Sequence, residues 1–166
     1  MARPILIGYD GSPNARRAIE EAGRLFGQAR AVVATAWLSF EEAAPGGLLA
    51  LPADVVRGAV EDLDAGQREE AERLAAEGAE LARQAGLDAE PRATHCRGPF
   101  FASLVHLADE LDATAVVVGS RGRSSLAAAV LGSVSTGVLH HTHRPVLVVR
   151  EHETGDGSER AVPAAP

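Results

Sequence analysis

The chain has 166 residues, 46% of them apolar and 23% charged, with a formal net charge of −7; these are ordinary values for one globular domain and exclude collagen, coiled-coil and largely disordered classes. Its 16 basic residues are all arginine and face 23 carboxylates, which leaves no broad basic face for a nucleic-acid backbone. A single cysteine, Cys96, rules out an intramolecular disulfide and the multi-cysteine zinc patterns, and with no signal-peptide core and no apolar run near the ~20 residues of a membrane span the expected setting is cytoplasmic, away from membranes.

Pro4 to Tyr9 is an apolar run of strand length that ends in Asp10-Gly11-Ser12-Pro13, the pattern of a buried strand, a tight turn and a helix start. Ser12 is placed to cap that helix, with Pro13 at its first position. Ala15, Ala18, Ile19, Ala22, Leu25 and Phe26 form its apolar stripe, closed by Gly27. Ala31 to Leu38 follows as a second strand without clean alternation, as expected where both faces of a parallel strand are covered. Ser39 to Glu61 holds Pro45-Gly46-Gly47 and Pro52, shows no period and reads as a long loop. A second amphipathic helix runs through Ala71, Leu74, Ala75, Gly78, Leu81, Ala82 and Ala85 to Gly86. The charged run Gln67 to Arg73 reads as a solvated helix face.

Leu87 to Arg97 is read as an edge strand because Pro91 interrupts it. Phe101, Leu104, Val105, Ala108 and Leu111 mark a third helix behind Gly98-Pro99, Thr114 to Val118 a β-branched strand ending at Gly119, and Gly132-Ser133 to His141 a fourth helix. Pro145 to Val149 is the last strand of a domain spanning residues 1–150, and Glu151 to Pro166 is expected to be a disordered tail. Alternating strands and helices, five strands in all, joined by right-handed crossovers give an α/β fold, an open parallel sheet with helices on both faces. Ligands in such sheets sit beyond the C-terminal ends of the strands. If the first and fourth strands are neighbours, the turns Asp10–Ser12 and Gly119–Ser125 share one crevice.

The second of these turns continues as Gly119-x2-Gly122-x9-Gly132-Ser133, followed by Val134 and Ser135. Glycines at 119 and 122 let the backbone turn tightly and approach an anion, the helix start at Gly132-Ser133 offers free N–H groups and the positive end of a helix dipole, and Arg121 and Arg123 add cations. A bland reading stands beside this one: glycines that serve turn geometry alone, a Ser133 that only caps a helix, and an Asp10 that only bonds its own loop.

Gly-x2-Gly-x9-Gly-Ser after an apolar strand resembles the nucleotide signature of the universal stress protein family. The opening Ile5-Leu6-Ile7-Gly8-Tyr9-Asp10-Gly11-Ser12, the approach Asp109 to Gly122 and the closing Arg144-Pro145-Val146-Leu147-Val148-Val149 are similar to that family's first strand, glycine-loop approach and last strand. The resemblance covers about residues 3 to 150. It implies a Rossmann-like five-stranded parallel sheet, a homodimer joined through the last strand, Pro145 to Val149, and ATP or a related adenine nucleotide at the motif, with Mg2+ or Mn2+ carried by the nucleotide. Carried over by position, Asp10 would face the ribose or a metal-associated water, Gly119, Arg121 and Gly122 would line the ribose-phosphate path, and Gly132, Ser133, Val134 and Ser135 would hold phosphates. The adenine contact falls near Ala36-Trp37, where Trp37 departs from the small aliphatic residue the family leads one to expect.

A binding and regulatory module is therefore the leading reading, with a slow metal-dependent ATPase or a dimeric interaction protein with an empty cleft as alternatives. An enzyme would need tools the chain lacks: without lysine no P-loop can form, and neither a Ser-Gly-Gly-x-Asp-Ser loop nor a His-x-Gly-His motif is present. The loop elements read phosphate more than its number, so ATP, ADP, AMP and cyclic AMP all fit. His140, His141 and His143 are expected to serve a helix C-terminus and not a metal. His95 and Cys96, as strand neighbours facing opposite sides, do not form a catalytic pair, and Cys96 is read as a packing residue.

Overall fold

The computed structural model describes residues 3–40, 53–122 and 131–150, with the backbone alone at 53–57. The described elements are β1 (Ile5–Gly8), α1 (Pro13–Phe26), β2 (Arg30–Trp37), α2 (Ala53–Gln84), β3 (Asp88–His95), α3 (Phe100–Glu110), β4 (Ala115–Gly119), α4 (Ser133–His141) and β5 (Val146–Val149). They build a five-stranded sheet in the order β3-β2-β1-β4-β5, parallel at every pairing. Chain order reverses between β1 and β4, which pair directly in the register Ile5↔Ala115, Leu6↔Val116 and Ile7↔Val117. The two turns singled out in the sequence therefore leave the sheet side by side, at its switch point.

Covered on both faces, the central strand can be apolar throughout: Ile5 is 1% exposed, Leu6 and Ile7 0%. On one face Ile5, Ile7, Tyr9 and Val33 pack with Ala18, Ile19 and Ala22 of α1 and Ala79 and Ala82 of α2. On the other, Leu6, Val32, Val116 and Val118 pack with Leu104 and Leu107 of α3 and Val138 of α4. At the far end of the sheet the Arg144 guanidinium donates to Asp112 Oδ1 at 2.6 Å and to the Ala113 carbonyl at 2.9 Å, tying the entry of β5 to that of β4. Those hydrogen bonds, from Arg144 first and Arg3 second, hold the Asp112 carboxyl below the usual carboxylate range.

The start of α1 follows the sequence closely. Ser12 Oγ accepts the Ala15 N–H at 3.2 Å, Pro13 opens the helix, and Gly27 ends it with φ 57°. Leu25 and Phe26, expected on the buried stripe, are instead 51% and 36% exposed. A helix of 14 residues is ~21 Å long against ~13 Å for a four-residue strand, so its last turn overhangs β1.

One connection differs in character from the sequence reading. The segment Ser39 to Glu61 is not all loop, because α2 begins at Ala53 and runs for 32 residues; residues 41–52 lie outside the described residues. From Gly58 to Glu70 the helix is exposed apart from half-buried Val60 and Asp64, so it has no sheet to cover and no apolar stripe to betray it. Good helix formers and the ion pairs Arg68–Glu72 and Arg73–Glu70 accompany this stretch. Pro91, by contrast, sits opposite Val33 in β3, an edge strand as its sequence predicts. Glu151 to Pro166 lie outside the described residues, and no described helix is long and apolar enough to cross a membrane.

Candidate functional site

Beyond the C-terminal ends of β1 and β4 lies a cavity of about 480 Å3 that brings together Asp10, Gly119, Arg121, Gly122, Gly132, Ser133, Val134 and Ser135. Asp10 follows β1, Gly119 to Gly122 follow β4, and Gly132 to Ser135 are the start of α4; three separate chain segments meet because β1 and β4 are adjacent.

Asp10 plays the bland role and keeps a second capacity. Its Oδ1 accepts the Ser12 N–H at 3.0 Å, bonding its own turn. Its Oδ2 reaches across to the other turn, where a Cβ on Gly122 would lie 2.8 Å from it. Gly119 is needed for a different reason, since a Cβ there would lie 2.8 Å from the Asn14 carbonyl carbon at the start of α1. The sequence reading has Gly119 and Gly122 both turn the backbone tightly and let it approach an anion; neither has a positive φ. What they provide is space. Gly11, with φ 81°, is the glycine of the site that uses the left-handed region.

The start of α4 is tied down by its own backbone. Ser120 donates its N–H to Val149 O at 2.7 Å and accepts the Gly132 N–H at 2.7 Å. Ser135 is 2% exposed, and its hydroxyl lies 3.1 Å from Ser120 O and 3.0 Å from Gly132 O. That hydroxyl therefore fastens the helix to the strand end, a role distinct from the phosphate contact expected of it. Gly132 is the N-cap and no side chain caps the helix. The helical ladder begins with Thr136 N–H to Gly132 O, so the N–H groups of Ser133, Val134 and Ser135 have no acceptor within the helix. Together with half-buried Arg121 they give this wall of the cavity a positive potential, opposite Asp10.

Trp37 is not brought into the crevice. Ala34, Thr35 and Ala36 line the crevice, while Trp37 lines only a neighbouring hollow of about 260 Å3, with Leu38, Phe40 and Leu63. Its ring packs against His95 at 4.6 Å between centroids. The residue that sequence reasoning missed is Phe100, which is 42% exposed and borders both cavities. Its signal was an aromatic at a helix start directly behind Gly98-Pro99, at the ligand-binding end of the sheet. Arg123, Ser124 and Ser125 lie outside the described residues.

His141 and Cys96 make contacts within the fold. His141 Nδ1 lies 2.9 Å from Gly137 O and its ring stacks on Phe101 at 4.7 Å. Cys96 is fully buried, and its thiol donates to Gly98 O at 3.0 Å. Among the described residues no group of three His, Cys, Asp or Glu is placed to hold a metal.

A parallel sheet with a glycine-walled crevice at its switch point, closed by an uncapped helix start, defines a Rossmann-like α/β protein equipped for an anionic ligand. The chain belongs to the universal stress protein family, whose family model matches residues 1–150. It is 28% identical over 151 residues to universal stress protein Rv2623 of Mycobacterium tuberculosis, covering 90% of this chain and 48% of that one, so it spans about half the length of that relative. To universal stress protein Rv1636 of the same organism it is also 28% identical, over 89% of this chain and 95% of that one. Among solved structures, that of a universal stress protein in complex with cAMP is 32% identical with a TM-score of 0.58, covering 89% of this chain and 96% of that one.

Proposed function

We propose that this protein binds an adenine nucleotide, ATP or a close relative, in the crevice between the β1 and β4 turns, and that it works in the cytoplasm as a dimeric regulatory module. The observation that carries the reading is the convergence on one cavity of an uncapped helix N-terminus, the Arg121 cation and a wall of side-chain-free Gly119 and Gly122, three devices that favour phosphate. A related universal stress protein solved with cAMP supports the choice of an adenine nucleotide. In this reading the N–H groups of Ser133, Val134 and Ser135 hold phosphates, Gly119, Arg121 and Gly122 follow the ribose-phosphate path, and Asp10 Oδ2 meets the ribose or a metal-bound water. Ala36 and Phe100 border the base in place of Trp37. Asp10 is the one carboxylate among the described lining residues, so Mg2+ or Mn2+ would arrive on the nucleotide's phosphates, where it neutralises their charge. Calorimetry with ATP tests the reading: one saturable site per chain is expected, and no heat with ATP, ADP, AMP or cyclic AMP overturns it.

The same geometry favours holding nucleotide over turning it over. Asp10 Oδ1 is already committed to the Ser12 N–H, and a carboxylate engaged with its turn and the ribose is poorly placed to orient water beside a terminal phosphate. Arg121 binds ground state and transition state alike, which does not raise the chemical rate. Glu41 and Glu42, which the sequence offers as further carboxylates, lie outside the described residues, as does the side chain of Asp54.

Dimerisation through β5 rests on its position at the sheet edge and on its sequence, Val146-Leu147-Val148-Val149, which leaves Val146, Leu147 and Val148 half-buried. A bare apolar edge invites pairing. Pro145 O and Val149 O accept from Val116 and Ser120 of the β4 side, so by the alternation of a parallel ladder Val146 and Val148 turn their N–H groups outward. Val148→Pro removes one outward donor and no β4 bond. Sedimentation should find wild type near twice 17.2 kDa and the variant shifted toward monomer with an unchanged circular dichroism spectrum; a monomeric wild type at micromolar concentration contradicts the assignment.

A further inference from the structure

We infer that Glu77, on α2 and outside the crevice, is a positioning residue for nucleotide binding, clasping the Asp10 turn from both sides through one carboxylate oxygen. The inference rests on the nucleotide reading of the crevice. Glu77 Oε1 accepts the Tyr9 hydroxyl at 2.7 Å and Arg16 Nη2 at 2.5 Å. Tyr9 is the residue immediately before Asp10, and Arg16 lies in the first turn of α1 immediately after the Asp10–Ser12 turn. The remaining oxygen, Oε2, is 3.4 Å from Arg73 Nη1 one helical turn earlier on α2, which fixes the carboxylate's own orientation.

Tyr9 is held at every polar atom it has. Its N–H donates to Ala34 O at 2.8 Å, its carbonyl accepts the Thr35 hydroxyl at 2.8 Å, and its phenol reaches Glu77. The ring is 2% exposed and lies over Gly78, where a Cβ would come within 2.8 Å of Tyr9 Cδ1. Burial, then the hydrogen bond to Glu77 and the charge of Glu77, push the Tyr9 phenol up to about 12. Tyr9 and Asp10 both line the crevice and are adjacent in the chain, so in the proposed reading a tilt of the ring would shift the turn that meets the ligand. Held this way, the turn presents Asp10 Oδ2 without first having to be ordered, and the ordering cost is removed from binding.

The test uses ATP calorimetry together with ultraviolet titration of Tyr9, the sole tyrosine of the chain. Glu77→Leu should weaken ATP binding about ten-fold, the scale of a lost charge-assisted hydrogen bond, and lower the Tyr9 midpoint from about 12 toward 10. Glu77→Gln keeps an acceptor oxygen without the charge and should fall between wild type and Glu77→Leu in both readouts. Tyr9→Phe removes only the hydroxyl and leaves the Arg16 contact; it should show part of the affinity loss of Glu77→Leu, and the double variant should lose no more than Glu77→Leu alone, because the tyrosine acts through Glu77. A lowered Tyr9 midpoint in Glu77→Leu with ATP affinity unchanged overturns the positioning role. If Glu77→Leu does not fold, Tyr9→Phe decides alone, and wild-type affinity in it overturns the inference. A wild-type protein that binds no ATP is a separate failure, of the crevice reading itself, and takes this inference with it.

Discussion

Substituting Gly122 by valine should reduce adenine-nucleotide affinity by about a hundred-fold or more while leaving the fold in place. A Cβ at this position would stand 2.8 Å from Asp10 Oδ2, and the two methyl groups of valine would then occupy the gap between the β1 and β4 turns, where the proposed ribose-phosphate path runs. Phosphate would be kept from the N–H groups at the start of α4, and losing two charge-assisted hydrogen bonds at ~1.5 kcal/mol each gives the stated factor. Stability should change little, because Gly122 is exposed and its backbone is not in the left-handed region. Calorimetry beside thermal unfolding separates the two effects, and a Gly122→Val protein that binds ATP as wild type does would remove this turn from the site.

The largest effect on stability is expected at Gly23, where α1 crosses the end of α2. A Cβ on Gly23 would lie 2.3 Å from the Ala85 carbonyl oxygen and 2.7 Å from Ala85 Cβ. Since the first of those neighbours is backbone, no rotamer change relieves it and the helices must separate. Overpacking of this kind costs up to ~3 kcal/mol, against a gain of ~1 kcal/mol from replacing glycine inside a helix, so Gly23→Ala should destabilise by about 2 kcal/mol and lower Tm by about 4–8 °C. The same substitution at Gly66, an exposed position of α2 with nothing within 4 Å of its Cβ, should stabilise by up to ~1 kcal/mol. Opposite signs in thermal unfolding would confirm that crowding, and not helix propensity, decides at Gly23; equal stabilisation at both positions would refute the close helix crossing.

What could be read from the sequence follows from where burial leaves a pattern. β1 and β4 are covered on both faces and announce themselves as apolar runs. α1 carries Ser12 and Pro13 at its start, and α4 begins at Gly132-Ser133, so both helix starts at the crevice were visible as residue types. The first half of α2 was not, because an exposed helix has no stripe, and Pro45, Gly46, Gly47 and Pro52 drew the eye to a loop. The family resemblance puts the base near Ala36-Trp37, with Trp37 among the site residues; in the structure Ala36 lines the crevice and Trp37 does not, its ring packing against His95. The sequence reads Gly119 and Gly122 for tight turning and close approach, and neither glycine uses a positive φ. Their need for space arises from Asn14 and Asp10, neighbours brought close by the pairing of β1 with β4. Glu77 left no mark in the sequence, since it reaches the Asp10 turn from an element distant in the chain, and Phe100 showed only as an aromatic at a helix start behind Gly98-Pro99.

An amide-resolved NMR titration with ATP, run beside one with inorganic tripolyphosphate, tests the binding claim most directly. ATP should shift the amides of Asp10, Gly119, Gly122, Ser133 and Val134 together with those of Ala36 and Phe100. Tripolyphosphate should shift those of the glycine turn and the α4 start, and leave Ala36 and Phe100 where they are. Saturable ATP shifts confined to residues away from the β1 and β4 turns, or no shifts at all, would contradict the account.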